Sequence, residues 1–190
     1  MKKISFVIPV YNEEFFIRGL LESIEKVNYP KEDFEVNVVC DGCTDGTVDV
    51  VKEFPPFHLI ELKQNVGRYA ARKIGAEAAV YPNILFVDAR CIVDENILTA
   101  IHNSTNRFII GRVKSEKKPG PFETFYVAMR RKIFSSYYAS SPQKMELNPK
   151  NFDSLPKGTT VMYVEKEVLF RAYDELSDVE MGKDSSDDTK

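Results

Sequence analysis

The sequence predicts an α/β protein with a mostly parallel sheet flanked by helices. Three apolar runs each end in a polar or acidic cluster, at residues 7–12 (VIPVYN), 36–42 (VNVVCDG) and 84–90 (ILFVDAR). Segments with helical spacing of apolar residues separate these runs, an alternation typical of parallel strands joined by crossover helices. Because the carboxyl ends of such strands share one edge of the sheet, where α/β folds bind ligands, we expect the three clusters to face one crevice.

Length and composition fit one globular domain. The 190-residue chain is 43% hydrophobic, which is enough for a sizeable core. We expect residues 1–111 to form the regular α/β half of the domain and residues 112–190 a less regular remainder. A formal net charge of −3 does not indicate nucleic-acid binding. No apolar run reaches the roughly 20 residues that span a bilayer, and the N-terminus lacks a signal-peptide pattern, so we expect a cytoplasmic protein.

A helix is predicted over residues 13–27, directly after the first apolar run. Apolar residues recur there at the spacing of a helix that lies on a sheet. This stripe comprises Phe16, Ile17, Leu20, Leu21 and Ile24. Tyr29 and Pro30 end the helix, and residues 34–40 form the second predicted strand.

A turn and a short helix are predicted after the second strand. Within residues 41–47 (DGCTDGT), Thr44 or Asp45 can cap the helix that follows. The inward-facing residues of this helix are Val48, Val51 and Phe54. Two prolines close this unit before a third strand, which is predicted over residues 58–62.

A third helix and a fourth strand complete the regular alternation. Residues 65–67 (NVG) open the helix, and Pro82 stops it before the strand at residues 84–87. One face of this helix is expected to pack closely on the sheet through Ala70, Ile74 and Ala78. A helix near residues 94–103 and a strand near residues 107–113 extend the pattern, after which the alternation breaks down.

Cys40 and Cys43 form a Cys-x-x-Cys at the junction between the second strand and the second helix. The chain has three cysteines, an odd number that fits a reducing compartment better than a secreted disulfide framework. The spacing matches a thioredoxin-like redox pair, although no second pair completes a four-ligand zinc site. Two small residues in a turn are the favoured interpretation, with a redox protein as the alternative.

Four motifs, in this order, resemble the family 2 glycosyltransferases of GT-A fold. They are residues 7–14 (VIPVYNEE), 41–47 (DGCTDGT), 65–67 (NVG) and 70–72 (AAR). The resemblance implies an inverting transfer of a sugar from a nucleotide diphosphate donor, preferably a UDP-sugar, to a hydroxyl acceptor. It also implies a role in the synthesis of glycans such as cell-envelope polysaccharides. The alternative is a nucleotide-sugar-binding module with impaired catalysis.

The resemblance implies that residues at the ends of the first two strands bind the nucleotide of the donor. A base-sized slot would be formed by Pro9, Tyr11, Asn12 and Glu13. The Tyr11 ring offers an aromatic face to the base or ribose. Asp41 matches the aspartate that accepts the imide N–H of uracil in the family, but Cys40 stands where the family commonly has a second aspartate. The alternatives are an ordinary strand-end turn for the slot and a turn or capping role for Asp41.

Positive charge for the diphosphate is expected at the start of the third helix. Gly67 opens this helix, and Arg68 and Arg72 lie in its first turns. Helix N–H groups and these cations could share one anion. The alternative is that the cations simply face solvent.

Asp88, Ala89 and Arg90 stand where the family has an Asp-x-Asp motif that binds a divalent metal. Mg²⁺ or Mn²⁺ normally bridges the two donor phosphates there, and the loss of one carboxylate weakens such a site. In the preferred mechanism Asp88 alone holds the metal, while Arg90 points away or pairs with Asp88 or Asp94. In the second mechanism Arg90 replaces the metal on the diphosphate. The two mechanisms differ in whether donor binding requires a divalent metal.

Asp187 and Asp188 match the acidic pair of the family's distal signature. The resemblance rests on residues 173–176 (YDEL) and 186–189 (SDDT), and it implies that Asp188 takes the proton of the acceptor hydroxyl. An acidic tail is the alternative. A late strand over residues 158–164, followed by a helix from Glu165, is predicted to border the acceptor. Because relatives usually continue further, we expect a fragment of a longer protein.

Residues 112–150 are predominantly basic. They hold nine lysines and arginines against three glutamates. This stretch is expected to approach an anionic lipid-linked acceptor or the inner face of the cytoplasmic membrane, with exposure to water alone as the alternative. Aromatic and apolar residues at helical spacing within it favour a core role over lipid contact.

Overall fold

A computed structural model of the chain describes residues 1–110 and 161–176, which form a six-stranded sheet with flanking helices. The strands are β1 (Ile4–Val10), β2 (Phe34–Asp41), β3 (His58–Leu62), β4 (Asn83–Val87), β5 (Phe108–Ile110) and β6 (Val161–Glu165). The helices are α1 (Glu14–Glu25), α2 (Thr47–Lys52), α3 (Arg68–Ala78), α4 (Ile97–Asn103) and α5 (Lys166–Leu176). A 3-10 turn, Lys31–Asp33, precedes β2. In this part of the chain, no helix has the length and apolar character needed to cross a membrane.

The strand order is β3-β2-β1-β4-β6-β5. β1 runs parallel to β2 and β4, and β2 runs parallel to β3, so the predicted alternation forms a parallel unit. β6 is antiparallel to its neighbours β4 and β5, and it contains most of the late strand that the sequence predicts. The predicted α/β fold with a mostly parallel sheet is confirmed.

Alternate residues of β1 belong to two separate cores, one on each face of the sheet. Phe6 and Ile8 pack in the cluster that includes α1 and α4, whereas Val7 packs with Ala76 of α3 and with Phe86. This follows from the strand geometry, because successive side chains point to opposite faces. Burial on both faces explains why the parallel strands read as continuous apolar runs.

Helix α1 packs on the sheet through most of the predicted stripe. Its buried apolar residues are Ile17, Leu20, Leu21 and Ile24. Phe16 was predicted to belong to the same face, and this is wrong, because the residue is 50% exposed. It lies in the first turn of α1, where its ring faces the guanidinium of Arg90.

Helix α3 packs through a different face from the predicted one. Its buried residues are Ala71, Gly75 and Ala76. Ala78, by contrast, is exposed. A Cβ atom added to Gly75 would lie 2.4 Å from Cγ1 of Val7 and 2.9 Å from Cγ2 of Val39. Glycine therefore allows α3 to approach β1 and β2. The buried face could not be predicted from the spacing of apolar residues, because this helix has small residues on several faces.

We predict that Gly75→Ala destabilises the protein. The added methyl group collides with two core valines, and overpacking of this kind costs about 1–3 kcal/mol, which exceeds a helix-propensity gain of at most about 1 kcal/mol. Urea unfolding followed by circular dichroism measures the difference.

Gly19→Ala is the matched control, since Gly19 lies inside α1. A Cβ there would meet only the Cδ1 atom of exposed Ile92, at 3.1 Å. This substitution should leave stability unchanged or raise it. Equal losses for the two variants would contradict the packing explanation for Gly75.

Candidate functional site

The three polar clusters lie on adjacent parallel strands, at the same edge of the sheet. The register pairs Val10 with Cys40, which puts Tyr11 next to Asp41. It also pairs Val7 with Phe86, and extension of this register by two residues puts Asp88 beside Pro9. The order β2-β1-β4 places Tyr11 between the two aspartates. The contacts of each side chain at this edge determine which groups can bind a ligand.

The loop after β1 and the loop after β2 are joined by hydrogen bonds. Asn12, which has a positive φ of 52°, accepts the Thr44 backbone N–H through Oδ1 at 2.8 Å. The Glu13 N–H donates to Oγ1 of Thr47 at 2.9 Å. The side chain of Asn12, predicted to contact the nucleotide, therefore holds the neighbouring loop.

The N-cap residue of α2 is Gly46 rather than the predicted Thr44 or Asp45, but the Asp45 side chain still binds the first residue of the helix. Its Oδ1 accepts both the backbone N–H and the hydroxyl of Thr47, at 3.0 and 2.6 Å. Burial acts to raise the pKa of Asp45, but these hydrogen bonds outweigh it and lower the pKa. The Glu14 N–H also donates to this carboxylate, so Asp45 braces α1 as well.

Asp41 is buried, with 3% exposure, and both of its oxygens accept backbone N–H groups. Oδ1 accepts from Val66 at 2.7 Å, and Oδ2 accepts from Gly67 at 3.0 Å. A buried carboxylate needs such donors, because desolvation without them is costly. Each oxygen still has a lone pair for a further donor. Asp41 therefore holds the loop before α3 and can still accept a hydrogen bond from a ligand.

Gly42 brings the same two loops into backbone contact. Its φ of +67° lies in the left-handed region, and a Cβ there would be 2.4 Å from the backbone nitrogen of Asn65. Gly67, at the N-cap of α3, also has a positive φ, of 91°. The turn after β2 therefore requires glycine both for its conformation and for the close approach to the loop before α3.

Arg72 of α3 pairs with Asp88 at the end of β4. Its Nη2 lies 3.1 Å from Oδ1 of Asp88, and the two side chains are 17% and 25% exposed. The guanidinium also faces the Phe86 ring at 5.6 Å. Arg68, the other predicted diphosphate contact, is exposed at the first residue of α3. Helix α3 therefore contacts both strand-end aspartates, Asp41 through its N-cap and Asp88 through Arg72.

Arg90 pairs with Glu13. Its Nε lies 2.9 Å from both carboxylate oxygens of Glu13, and its guanidinium sits 5.1 Å from the centre of the Phe16 ring. This hydrogen bond to Glu13 raises the pKa of Arg90. The expected partners Asp88 and Asp94 are therefore replaced by a residue of the first strand end. The intervening Ala89 is buried, with 5% exposure, so its side chain belongs to the core.

The described residues fit a divalent metal poorly. Within residues 1–110 and 161–176, no group of three or more His, Cys, Asp or Glu side chains forms a metal-binding cluster. Asp88 contributes one carboxylate, whose charge is offset by Arg72. Mg²⁺ and Mn²⁺ favour several oxygen ligands, at least some of them anionic. The metal at Asp88 stays a prediction.

Cys40, on β2, and Cys43, in the turn that follows, pack in the same apolar cluster. Cys40 is fully buried, whereas Cys43 is half-buried and its thiol donates to the Val10 carbonyl at 3.5 Å. A hydrogen bond from the Cys40 thiol lowers the pKa of Cys43 to about 7, with a further contribution from the Asn12 N–H, although burial opposes the change. The same contact raises the pKa of Cys40. The pair combines an ionisable outer thiol with a protonated inner one.

Several predicted features lie outside the described residues. These are the acidic pair Asp187 and Asp188 and the basic stretch at residues 112–150. Tyr173, from the motif that resembles the distal signature, lies on α5 and packs edge to face on Tyr69 of α3 at 5.2 Å. Burial raises the pKa of Tyr173. Sequence reasoning missed this contact, as it missed the Glu13–Arg90 pair, because neither follows from spacing along the chain.

A cavity of about 360 Å³ lies between α1 and the segment after β4. Its lining residues are Gly19, Glu22, Ser23, Lys26, Ile92, Val93 and Glu95. None of these residues is among those predicted to bind a nucleotide sugar. This cavity is therefore separate from the cluster of side chains at the strand ends.

Two relatives are similar to this chain in sequence, and one solved structure is similar to it in fold, in each case over part of their length. Glycosyltransferase AglE of Haloferax volcanii is 38% identical over 93 residues, which are 46% of this chain and 30% of the relative. The poly(ribitol-phosphate) β-N-acetylglucosaminyltransferase TarS of Staphylococcus aureus is 33% identical over 102 residues, 52% of this chain and 18% of the relative. The crystal structure of TarS 1–349 matches with a TM-score of 0.64 and 25% identity, covering 91% of this chain and 49% of that one.

The fold also matches a more distant enzyme. The mannosyltransferase PcManGT from Pyrobaculum calidifontis, solved with GDP-Man and Mn²⁺, has a TM-score of 0.59 and 21% identity, covering 90% of this chain and 46% of that one. At that identity the likeness concerns the fold. The chain thus spans about half the length of these two structures and less than a third of the two relatives named above.

A family model provides the assignment. The model described as "Glycosyl transferase family 2" matches residues 5–144, which include every strand end of the site described above. Because this match covers most of the chain and the fold agrees, the chain belongs to glycosyl transferase family 2.

Proposed function

We propose that the chain is the donor-binding part of an inverting glycosyltransferase that uses a UDP-sugar and transfers the sugar to a hydroxyl of a glycan or lipid-linked acceptor. Family membership supports the reaction class. The TarS structures with UDP-GlcNAc and with UDP support the donor class. The observation that carries the proposal is the arrangement of Asp41, buried at a strand end with both oxygens held by N–H groups and with Tyr11 beside it.

Asp41 would recognise the base through its remaining lone pairs. Its carboxylate is held in one orientation by Val66 and Gly67, so little reorganisation accompanies binding. An imide N–H of uracil is a donor, and a carboxylate accepts it in a charge-assisted hydrogen bond. The Tyr11 ring, with the residue 41% exposed, would cover the base or ribose. Cytosine presents an acceptor at the corresponding ring nitrogen, so Asp41 would reject it.

Arg72 and Arg68 would bind the diphosphate together with the N-terminus of α3. This helix is 11 residues long, and both arginines lie in its first turns. Asp88 would then orient Arg72 through the ion pair at 3.1 Å. Because Asp88 is already paired, we propose that donor binding does not depend on a divalent cation at this position.

The remaining assignments concern catalysis and location. Asp188, with Asp187 before it, would take the acceptor proton as the hydroxyl oxygen attacks the anomeric carbon opposite the leaving diphosphate. The basic residues 112–150 would bring the cytoplasmic face of an anionic membrane close to the acceptor side.

A binding module without turnover is the second candidate, because the Asp-x-Asp position reads Asp88-Ala89-Arg90. Assay of radiolabelled sugar transfer and donor hydrolysis decides between the two.

We predict that the chain binds UDP much more tightly than CDP and that Asp41→Asn reduces this discrimination. The amide loses the charge-assisted hydrogen bond, which is worth about 1.5–3 kcal/mol, or roughly 10- to 100-fold in affinity. Isothermal titration calorimetry with both nucleotides measures the ratio.

Asp49→Asn is the matched control for this experiment, because Asp49 is an exposed aspartate on α2. This variant should keep the preference of the parent chain. An unchanged UDP-to-CDP ratio in Asp41→Asn would contradict the base-recognition role of Asp41. Circular dichroism checks that the Asp41→Asn variant is folded.

We predict that the UDP affinity measured in EDTA stays within about twofold of the affinity measured in Mn²⁺. Arg72→Gln should weaken UDP binding by roughly 10- to 100-fold, because one charge-assisted contact to a phosphate is lost. Calorimetry with Mn²⁺, with EDTA and with the variant provides the comparison. Arg18→Gln is the control, since Arg18, like Arg72, pairs with a carboxylate, that of Glu53 at 2.6 Å. Loss of binding in EDTA, restored by Mn²⁺, would instead establish a metal site at Asp88.

A further inference from the structure

The proposed sugar transfer does not use the Cys40–Cys43 pair, yet the structure places both side chains against the same apolar cluster on one face of the sheet. We propose that Cys43 is a peroxide-reactive thiol and that Cys40 resolves its oxidised form into an intramolecular disulfide. The site is a modification site for hydroperoxides. It adjoins Asp41, because Asp41 and Gly42 are the two residues between the cysteines.

The two cysteines differ in exposure in the way such a pair requires. Cys43 is half-buried in a turn and so has access to a small oxidant, whereas Cys40 is at 0% exposure on β2. Both side chains lie on one face of the sheet, because Cys40 belongs to the apolar cluster there and Cys43 packs against it. The Cys43 thiol donates to the carbonyl of Val10, which is the strand partner of Cys40, so we infer that the inner sulfur is within reach once the outer one is oxidised. The part of the chain that the structure describes contains no disulfide at either residue.

The surroundings of Cys43 also stabilise its thiolate. The Cys40 thiol and the Asn12 N–H donate toward the sulfur and lower its pKa to about 7, while burial and the carboxylate of Asp45 oppose this. The Thr47 hydroxyl has one proton, which it donates to Asp45 at 2.6 Å, so we assign the stabilisation to Cys40 and Asn12. The hydrogen bond to Cys43 and burial raise the pKa of Cys40 and keep this inner thiol protonated, and the carboxylate of Glu61, its strand partner on β3, adds to the effect.

The chemistry balances with hydrogen peroxide as the oxidant. The Cys43 thiolate attacks one peroxide oxygen, the O–O bond breaks, and the departing hydroxide takes a proton to become water. The Cys40 sulfur then attacks the sulfur of the sulfenic acid, so that an S–S bond forms and the S–O bond breaks. The Cys40 proton leaves with the hydroxyl as a second water. In sum, two thiols and one peroxide give one disulfide and two waters.

The bridge would act on the nucleotide site, a consequence that rests on the proposed function. It closes a ring around Asp41 and Gly42, the residues that contact the loop before α3. Gly42 has no room to shift toward Asn65, since even a Cβ would be 2.4 Å from that backbone nitrogen. Constraint of this turn would move the Asp41 carboxylate relative to the N–H groups of Val66 and Gly67. Oxidation is therefore expected to weaken UDP binding.

The test treats the reduced full chain with one equivalent of hydrogen peroxide and maps the tryptic peptides by mass spectrometry. The peptide over residues 32–52 holds both cysteines and should lose two hydrogen masses and resist alkylation. Cys91→Ala, which keeps the pair, should form the same bridge. Cys40→Ala should instead leave a sulfenic acid on Cys43 that dimedone traps. An unbridged peptide in the parent chain, or no dimedone adduct in a folded Cys40→Ala variant, overturns the proposal.

We predict that the rate of Cys43 alkylation by iodoacetamide rises with pH about a midpoint near 7, because the thiolate is the nucleophile. In Cys40→Ala the midpoint should move upward, since the hydrogen bond to the thiolate is lost. A parent midpoint close to the ordinary cysteine value of 9.0 would refute the assignment.

Calorimetry with UDP then compares the reduced and bridged chains. The dissociation constant should rise about tenfold or more on oxidation, the effect of losing one charge-assisted hydrogen bond. Equal affinity in the two forms overturns the effect on the nucleotide site. Because bridge formation is scored without nucleotide, absence of UDP binding in the reduced chain counts against the proposed function and not against the thiol site.

Discussion

The hydrogen bonds from Val66 and Gly67 to the Asp41 carboxylate are the interaction on which the candidate site depends. Through them the end of β2 determines where α3 begins. Gly75 then allows the same helix to approach β1 and β2 closely. The position of α3 in turn brings Arg72 to Asp88 on β4. A buried carboxylate needs these donors to offset its desolvation, so the groups that orient Asp41 also make its burial tolerable.

The charges at this edge are arranged in pairs. Arg72 is paired with Asp88 and Arg90 with Glu13, so each guanidinium is already oriented without a ligand. Such pairing holds planar donors in place, and a diphosphate offers more negative charge than the single carboxylate it would approach. The loops after β1 and β2 brace each other through Asn12, Thr44 and Thr47. The site is thus built on contacts between strand ends, with few side chains left for a metal among the described residues.

Much of the fold follows from the sequence, because apolar runs, turn residues and prolines act locally. The bounds of β3 are as predicted, and β2 differs by one residue. The buried face of α3 could not be predicted, since alanine and glycine occur on both sides of that helix and give no hydrophobic contrast. For the site, sequence order placed Tyr11, Asp41 and Asp88 at one edge. The pairing of Arg90 with Glu13 was not predictable, because it depends on the positions of two loops in three dimensions.

We propose that Asp41 recognises the base while remaining bound to the loop before α3. A crystal structure of the full chain with UDP is the decisive experiment. We expect the uracil imide nitrogen at about 2.7–3.2 Å from a carboxylate oxygen of Asp41, with both backbone hydrogen bonds retained. A uracil bound elsewhere on the surface, or an Asp41 carboxylate that turns away from the base, would contradict it.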